Sequence, residues 1–236
     1  MRFLQALLRL LFYVAVGCVI AIGGAAYFFM TWEPDRDDFP IRGIDVSHHQ
    51  GLIEWDQVAG DDVAFAYIKA SEGGDFKDSA FERNWSSAGS AGLARGAYHF
   101  FSLCKDGVSQ ARNFIDQLPD DADMLAPAVD LEFEGNCPRR PAVAEVLQEI
   151  SQFTALVEQA TGKRVVFYAP EDFYAQYLKG QGLNRRLWVR SIWHSPVYTD
   201  QWVLWQYHQR GTVKGITGDV DLNVLEGELS IVDLKS

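Results

Sequence analysis

Two acidic residues separated by one position, Asp130 and Glu132, are the residues of this sequence best suited to catalysis. They lie in the stretch APAVDLEFEG, where apolar residues alternate with acids as in a half-buried strand. Both carboxyl groups are therefore expected on one face, about 7 Å apart at their Cα atoms. Like charges this close raise at least one pKa, which keeps a protonated carboxyl beside an ionised one. Cleavage of a glycosidic bond needs such a pair. The alternative that these acids only cap a loop at the end of a strand remains open.

Three further charged residues are predicted to face the interior beside this pair. Asp45 and Asp221 each stand between two apolar residues, and Lys69 alternates with Phe65 and Tyr67. Burial of charge without a role is costly, so inward carboxylates late in three strands indicate one shared site. For Lys69 a surface position, with its aliphatic stem lying along the protein, stays open.

Aromatic residues cluster near the ends of the same predicted strands. Some of them are expected to stack on sugar rings, and the others to belong to the core. The candidates for substrate binding are Tyr98, Tyr168 and Trp205.

Other chemistries have little support in the sequence. The formal net charge is −11, whereas nucleic-acid binding needs a basic face, so no nucleic-acid partner is predicted. The chain contains neither a His-x-x-x-His nor a Cys-x-x-Cys spacing, and no Gly-rich phosphate loop or Gly-x-Ser-x-Gly motif. We therefore predict no metal and no cofactor.

The N-terminus resembles a membrane span. Residues 10–30 carry no charge, follow Arg2 and Arg9, and precede an acidic stretch. As a helix this run would extend about 32 Å, close to the hydrocarbon thickness of a bilayer. The flanking charges predict a cytoplasmic N-terminus and an exported remainder. A cleaved signal peptide is the main alternative, although its apolar region is normally shorter.

These features divide the chain into four parts. We predict a cytoplasmic segment at residues 1–9, a transmembrane anchor at 10–32, a linker at 33–40 and a catalytic domain at 41–236. The exported part holds Cys104 and Cys137, which are predicted to form a disulfide, with two free thiols as the alternative.

Strand-like and helix-like segments alternate through the catalytic domain. Strands are predicted at 41–47, 64–70, 94–101, 126–132, 165–168, 187–192, 202–207 and 220–224, and helices at 79–89, 108–117, 142–160 and 172–178. Five strands alternate with helices and the last three have short connections, which predicts an α/β fold in the form of an irregular TIM-like barrel. An open doubly wound sheet is the alternative.

Six segments in order resemble the motifs of glycoside hydrolase family 25, the Chalaropsis-type lysozymes or N-acetylmuramidases. They are GIDVSH at 43–48, AYIKASEG at 66–73, GAYHF at 96–100, VDLE at 129–132, LWQY at 204–207 and VDLN at 220–223. The resemblance covers residues 41–225. It implies a barrel of five β/α units with three trailing strands. It also implies hydrolysis, with retention, of the β-1,4 bond between N-acetylmuramic acid and N-acetylglucosamine.

The resemblance also implies roles for individual residues. Glu132 corresponds to the general acid/base, and Asp130 to the group that orients the acetamido group or stabilises an intermediate. The supporting carboxylates would be Asp45 and Asp221, and substrate contacts would involve Lys69 and Tyr168.

Two positions depart from the family pattern. His49 stands where a Trp is usual, and Arg190 where a small residue is usual, so the preference of the sugar subsites is the property most affected.

The expected partners are peptidoglycan strands and, through the N-terminal helix, the lipid bilayer. The expected location is the bacterial inner membrane, single-pass, with a periplasmic catalytic domain. A catalytically silent peptidoglycan-binding anchor and a glycosidase for another N-acetylated polysaccharide are the alternatives. The oligomeric state is not predicted.

Overall fold

The computed structural model describes residues 2–236, which form two compact units divided between Glu33 and Pro34. The N-terminal unit is one helix, α1 (Arg2–Thr31), and none of its most apolar stretch is buried. By length and composition Phe3–Thr31 could cross a membrane. The helix begins well before the predicted span at 10–32 and includes Arg9. A signal sequence shares these properties, so the anchor stays a prediction.

The second unit is a closed barrel. Its strands are β1 (Arg42–Val46), β2 (Phe65–Glu72), β3 (Phe76–Lys77), β4 (Ala94–Phe100), β5 (Ala128–Asp130), β6 (Val166–Pro170), β7 (Leu187–Arg190), β8 (Trp202–Gly211) and β9 (Val220–Leu225). The barrel closes because β1 pairs with both β2 and β9. Strand β9 runs antiparallel to its two neighbours, and β3 is a short hairpin partner of β2 outside the ring. The predicted irregular barrel of eight strands is confirmed.

Helices follow the first five strands of the ring. They are α2 (Trp55–Ala59), α3 (Phe81–Ser90), α4 (Gly107–Ile115), α5 (Val143–Thr161) and α6 (Glu171–Phe173), which continues as a π-helical turn at Tyr174–Leu178. Short 3-10 turns lie at His48–Gln50 and Ile231–Lys235. The sequence did not predict α2, because five residues are too few to display a helical period. The clearest predicted helix, α5, ends at Gly162 in the left-handed conformation with φ 67°.

The barrel interior near the amino ends of the parallel strands is filled by aromatic and branched side chains. Phe65 and Tyr67 of β2 point inward, and each lies over a glycine of a neighbouring strand. A Cβ atom at Gly43 would lie 2.3 Å from the Phe65 ring, and one at Gly96 would lie 2.4 Å from the Tyr67 ring. Glycine is therefore required at both positions. The packed interior leaves the carboxyl ends of the strands as the part of the barrel that can open into a cleft.

The predicted linker is part of the barrel unit. Pro34 is buried, and its carbonyl oxygen accepts a hydrogen bond from Arg42 at 2.7 Å. The Phe39 ring packs edge-on against Trp205, with centroids 5.5 Å apart. Residues 34–40 therefore belong to the barrel unit and do not form a free linker, because Pro34 is buried and hydrogen-bonded and Phe39 packs against Trp205.

A disulfide joins Cys104 and Cys137, as predicted, with their Cα atoms 6.2 Å apart. It ties the loop after β4 to the loop after β5. Replacing both cysteines by serine is expected to lower the free energy of unfolding of the barrel by about 2–4 kcal/mol, because the unfolded chain gains freedom. Chemical denaturation of the full chain in detergent measures this. Cys18→Ser, which alters the free cysteine of α1, is the control. Equal stability of the double variant and the wild type would contradict the prediction.

Candidate active site

A cleft of about 550 Å³ opens at the carboxyl ends of the barrel strands. Acidic side chains dominate its wall, and all four predicted catalytic carboxyls line it. The acids are Asp45, Glu72, Asp130, Glu132, Glu134, Asp219 and Asp221, and the cations are Lys69, Arg190 and Arg210. Convergence at this end follows from the fold, since parallel strands bring their carboxyl ends together.

Asp45 lies at the base of the cleft in a chain of hydrogen bonds. Its Oδ2 accepts from Asn223 Nδ2 at 2.8 Å and from Gln206 Nε2 at 3.3 Å. The oxygen of each amide accepts in turn, from Trp188 Nε1 at 2.8 Å and from the Tyr168 hydroxyl at 2.9 Å. Both amides are thus fixed in orientation, and they hold Asp45 in one position.

Asp45 also stands directly opposite Asp221 across the β1–β9 pair. Burial raises the pKa of Asp45 to about 6, against the lowering effect of its hydrogen bonds to Asn223 and Gln206. Burial, followed by repulsion from Asp45, raises the pKa of Asp221 to about 9. The two carboxyls are therefore expected to hold a proton between them near neutral pH.

Asp130 is the last residue of β5, opposite Tyr168 of β6. Among residues 2–236 its buried Oδ1 finds no hydrogen-bond donor. Burial, followed by repulsion from Glu132, raises the pKa of Asp130 well above its usual value. Desolvation acts on Asp130 more strongly than the nearby charge of Lys69 does, so this direction favours a protonated Asp130 and not the ionised member of the pair.

Glu132 lies beyond the end of β5, on a loop and not on the predicted strand 126–132. Its side chain still reaches the cleft. The loop is held by Asn136, whose Nδ2 donates to the Glu132 carbonyl at 2.9 Å and to the Phe101 carbonyl at 2.7 Å. Gly135 makes the turn with φ 71°. Burial raises the pKa of Glu132 to about 7, and the charge of Arg190 opposes this rise.

Three of the four predicted substrate-binding residues line the cleft: Lys69, Tyr98 and Tyr168. Lys69 Nζ pairs with Glu72 at 2.7 Å and lies 4.9 Å from the centre of the Phe100 ring. The fourth, Trp205, is fully buried and does not reach the cleft. Residues of β8 alternate between the two faces, so Gln206 points inward while Trp205 points into the outer core. Trp205 is therefore removed from the substrate-binding set.

Two polar residues of the site, Gln206 and Asn223, were not assigned to it from sequence. Asn223 lies two positions after Asp221, and the alternation of that strand puts it on the same inward face, although it was not chosen as a site residue. Gln206 follows from the same alternation in β8, once the apolar Leu204 is recognised as inward. No trio of His, Cys, Asp or Glu within the described chain is arranged to hold a metal ion.

A β/α barrel with a carboxyl-lined cleft above a packed interior has the design of the barrel enzymes that cut glycosidic bonds. Comparison with known proteins narrows the class. The profile described as Glycosyl hydrolases family 25 matches residues 44–216. Lysozyme M1 of Streptomyces globisporus is 33% identical over 229 residues, covering 91% of this chain and 78% of that protein.

Two further relatives agree. The protein YegX of Escherichia coli K12 is 36% identical over 196 residues, 80% of this chain and 71% of that protein. The structure of a family 25 glycosyl hydrolase from Bacillus anthracis superposes with a TM-score of 0.76 at 35% identity, covering 83% of this chain and 92% of that one. The chain belongs to glycosyl hydrolase family 25, and it is a lysozyme-type glycoside hydrolase that acts on peptidoglycan.

Proposed function

We propose that the enzyme is an N-acetylmuramidase, which hydrolyses the β-1,4 bond between N-acetylmuramic acid and N-acetylglucosamine with retention at the anomeric carbon. The observation that carries the proposal is Glu132, a carboxyl in the cleft whose pKa is raised by burial to about 7. A carboxyl with this pKa is protonated in a large share of the molecules at neutral pH, as a general acid requires.

In the proposed reaction Glu132 gives its proton to the glycosidic oxygen as the bond from that oxygen to the anomeric carbon breaks. An oxygen of the substrate's acetamido group or of an enzyme carboxylate bonds to the opposite face of that carbon, until water displaces it from the first face with retention. In the second step the Glu132 carboxylate takes a proton from the attacking water, which restores the enzyme. Asp130 has a buried oxygen without a donor, and the acetamido N–H of the substrate would supply one. Asp130 would thereby orient the acetamido group or stabilise the intermediate.

The remaining cleft residues would support these steps. The Asp45–Asp221 pair places a shared proton at the base of the cleft, which limits repulsion of an entering anionic polymer. Lys69, Tyr98 and Tyr168 would contact the sugar, with the Tyr168 hydroxyl already oriented by Gln206.

Analysis of the products tests this reaction. Purified peptidoglycan is digested, the new ends are reduced with borohydride, and the fragments are identified by mass. We expect reduced muramic acid at the new ends. Reduced glucosamine there would refute the bond assignment. Digestion of chitin oligomers without digestion of peptidoglycan would favour a different N-acetylated substrate, and binding without any cleavage would favour a silent anchor.

The pH dependence of the reaction follows from the acid. Glu132 must be protonated to act, so kcat/KM is expected to be constant below about pH 6 and to fall about tenfold per pH unit above pH 7. Initial rates on soluble peptidoglycan fragments between pH 5 and 9 measure this, with folding checked at each pH. A constant rate up to pH 9 would contradict the prediction.

We infer that α1 anchors the enzyme in the bacterial inner membrane with the barrel in the periplasm. Its length, its apolar composition and the flanking charges support this. The intact mass of the protein extracted from membranes tests it. Retention of residues 1–33 supports an anchor, whereas a mature chain that starts near the end of α1 would show a cleaved signal peptide.

A further inference from the structure

Arg190 is held at the mouth of the cleft by its backbone. It is the last residue of β7, next to Gln206 of β8. Its backbone N–H donates to the Tyr198 hydroxyl at 3.1 Å, and that hydroxyl donates to the Ala169 carbonyl at 2.7 Å. The base of the side chain is therefore fixed relative to β6 and β7.

The guanidinium of Arg190 is only partly engaged. Its Nη1 lies 3.4 Å from Glu134, a carboxylate whose side chain is 79% exposed, and its Nη2 contacts the neutral Gln209. A guanidinium carries five N–H donors, so most of them remain for a ligand. The long, exposed pair with Glu134 contributes little free energy and is easily exchanged for another carboxylate.

The other cations of the cleft are less suited to an anion near Glu132. Lys69 Nζ already pairs with Glu72 at 2.7 Å. Arg210 lies at the exposed rim, where its side chain is 76% accessible and faces Asp219 at 4.0 Å. Arg190 is 23% exposed and is the cation whose charge opposes the rise in the pKa of Glu132. Arg190 therefore lines the same cleft as Glu132 and is close enough for its charge to act on that acid.

We propose that Arg190 is a carboxylate-binding, specificity-determining residue, through which the enzyme prefers glycan strands that carry carboxylates on their muramic acid residues over neutral strands of N-acetylglucosamine. The inference rests on the proposed function and adds to it the charge of the preferred substrate. A planar guanidinium binds a carboxylate through two parallel hydrogen bonds. That carboxylate is either the lactyl group of a bare strand or a free carboxyl of the stem peptide.

Glu134 is the competitor of the ligand in this arrangement. The substrate carboxylate takes its place on Arg190 and releases it to solvent. Removal of Arg190 and removal of Glu134 should therefore change affinity in opposite directions, because one removes the donor and the other removes the group that occupies it. A purely structural ion pair predicts the same direction for both.

The test measures binding to the full chain in detergent, in a Glu132→Gln background that prevents cleavage. Three ligands are compared: strands with stem peptides, strands stripped of them by an amidase, and neutral chitohexaose. We expect Arg190→Gln to weaken binding of the carboxylate-bearing strands about tenfold to a hundredfold and to change chitohexaose binding less than about twofold. Arg190→Lys is expected to restore part of the loss, because lysine keeps the positive charge but cannot form the two parallel hydrogen bonds of a guanidinium.

Glu134→Gln is expected to tighten binding of the carboxylate-bearing strands at least about twofold. A loss limited to strands with stem peptides identifies the peptide carboxyl as the ligand, and a loss on stripped strands identifies the lactyl group. Equal weakening of all three ligands by Arg190→Gln, no weakening, or weaker binding in Glu134→Gln would overturn the proposal. Cleavage of peptidoglycan by the enzyme with an unaltered Glu132 is measured in parallel. If no cleavage occurs, the proposed function is refuted. If cleavage is normal but Arg190→Gln changes the binding of charged and neutral strands equally, the proposed role of Arg190 alone is refuted.

Discussion

Glu132→Gln is expected to lower kcat on peptidoglycan at least about 1,000-fold while the barrel stays folded. The amide has nearly the shape of the protonated carboxyl but cannot give a proton to the leaving oxygen. General acid–base catalysis alone contributes about 10²–10⁴ in rate, and here one residue serves in both steps. Release of soluble muropeptides measures the rate, and circular dichroism with thermal unfolding measures the fold.

Glu228→Gln provides the matched control for this variant. It makes the same change in charge and shape at an exposed residue just after β9, at the end of the barrel away from the cleft. We expect its activity to stay within about twofold of the wild type. Full activity in Glu132→Gln would show that another group gives the proton. Lost activity together with a lower melting temperature would indicate a structural effect of the substitution.

Asp221→Asn is expected to stabilise the protein at alkaline pH. In the folded state the pKa of Asp221 is raised to about 9 by burial and by Asp45, above the value of 3.8 that it has when exposed to water. A group whose folded pKa is raised contributes full stability below the unfolded pKa and loses it as pH rises. The free energy of unfolding of the wild type should therefore fall as pH rises from about 4 to about 9.

The variant removes the need to bury this charge. One pKa unit corresponds to about 1.4 kcal/mol, and we expect Asp221→Asn to exceed the wild type by at least about 2 kcal/mol at pH 8, with little difference at pH 4. Denaturant titrations followed by tryptophan fluorescence measure both values. Asp219→Asn, at an exposed position two residues earlier, is the control and should have a stability close to that of the wild type at both pH values. A wild type that gains stability between pH 4 and 8 would contradict the assignment.

Arg190 links the site chemistry to substrate choice. Its charge favours the ionised form of Glu132 and at the same time provides donors for an incoming carboxylate. Binding of an anion to Arg190 would weaken this effect and raise the pKa of the acid at the moment when it must hold its proton. The substrate would in this way favour the protonation state that the first step requires.

The alternation of apolar and charged residues was sufficient to predict most of the barrel from sequence. Each strand that carries a catalytic candidate places it on the inward face, because the period of two is a property of the extended backbone and needs no tertiary information. The same pattern brought Asp45, Asp130 and Asp221 together correctly. The disulfide was predicted from the location of its cysteines in the exported part, and its geometry came from the fold.

Tertiary structure decided what alternation could not. Glu132 lies outside the predicted strand, since β5 ends at Asp130 and Asn136 holds the turn that follows. No local pattern of residues in the sequence predicts that turn. Trp205 resembled a sugar platform by type and position near a strand end, but its face of β8 packs against Phe39. The residues before β1 looked like a linker until their buried contacts were seen.

The protonation states of the acids likewise depend on the tertiary structure. The sequence determined that Asp130 and Glu132 are close and that one of them should hold a proton. It could not determine which carboxyl is more desolvated, because desolvation depends on every element packed around a group and not on its neighbours in the chain. The structure raises the pKa of both residues, leaves an oxygen of Asp130 without a donor, and brings the charge of Arg190 to act on Glu132.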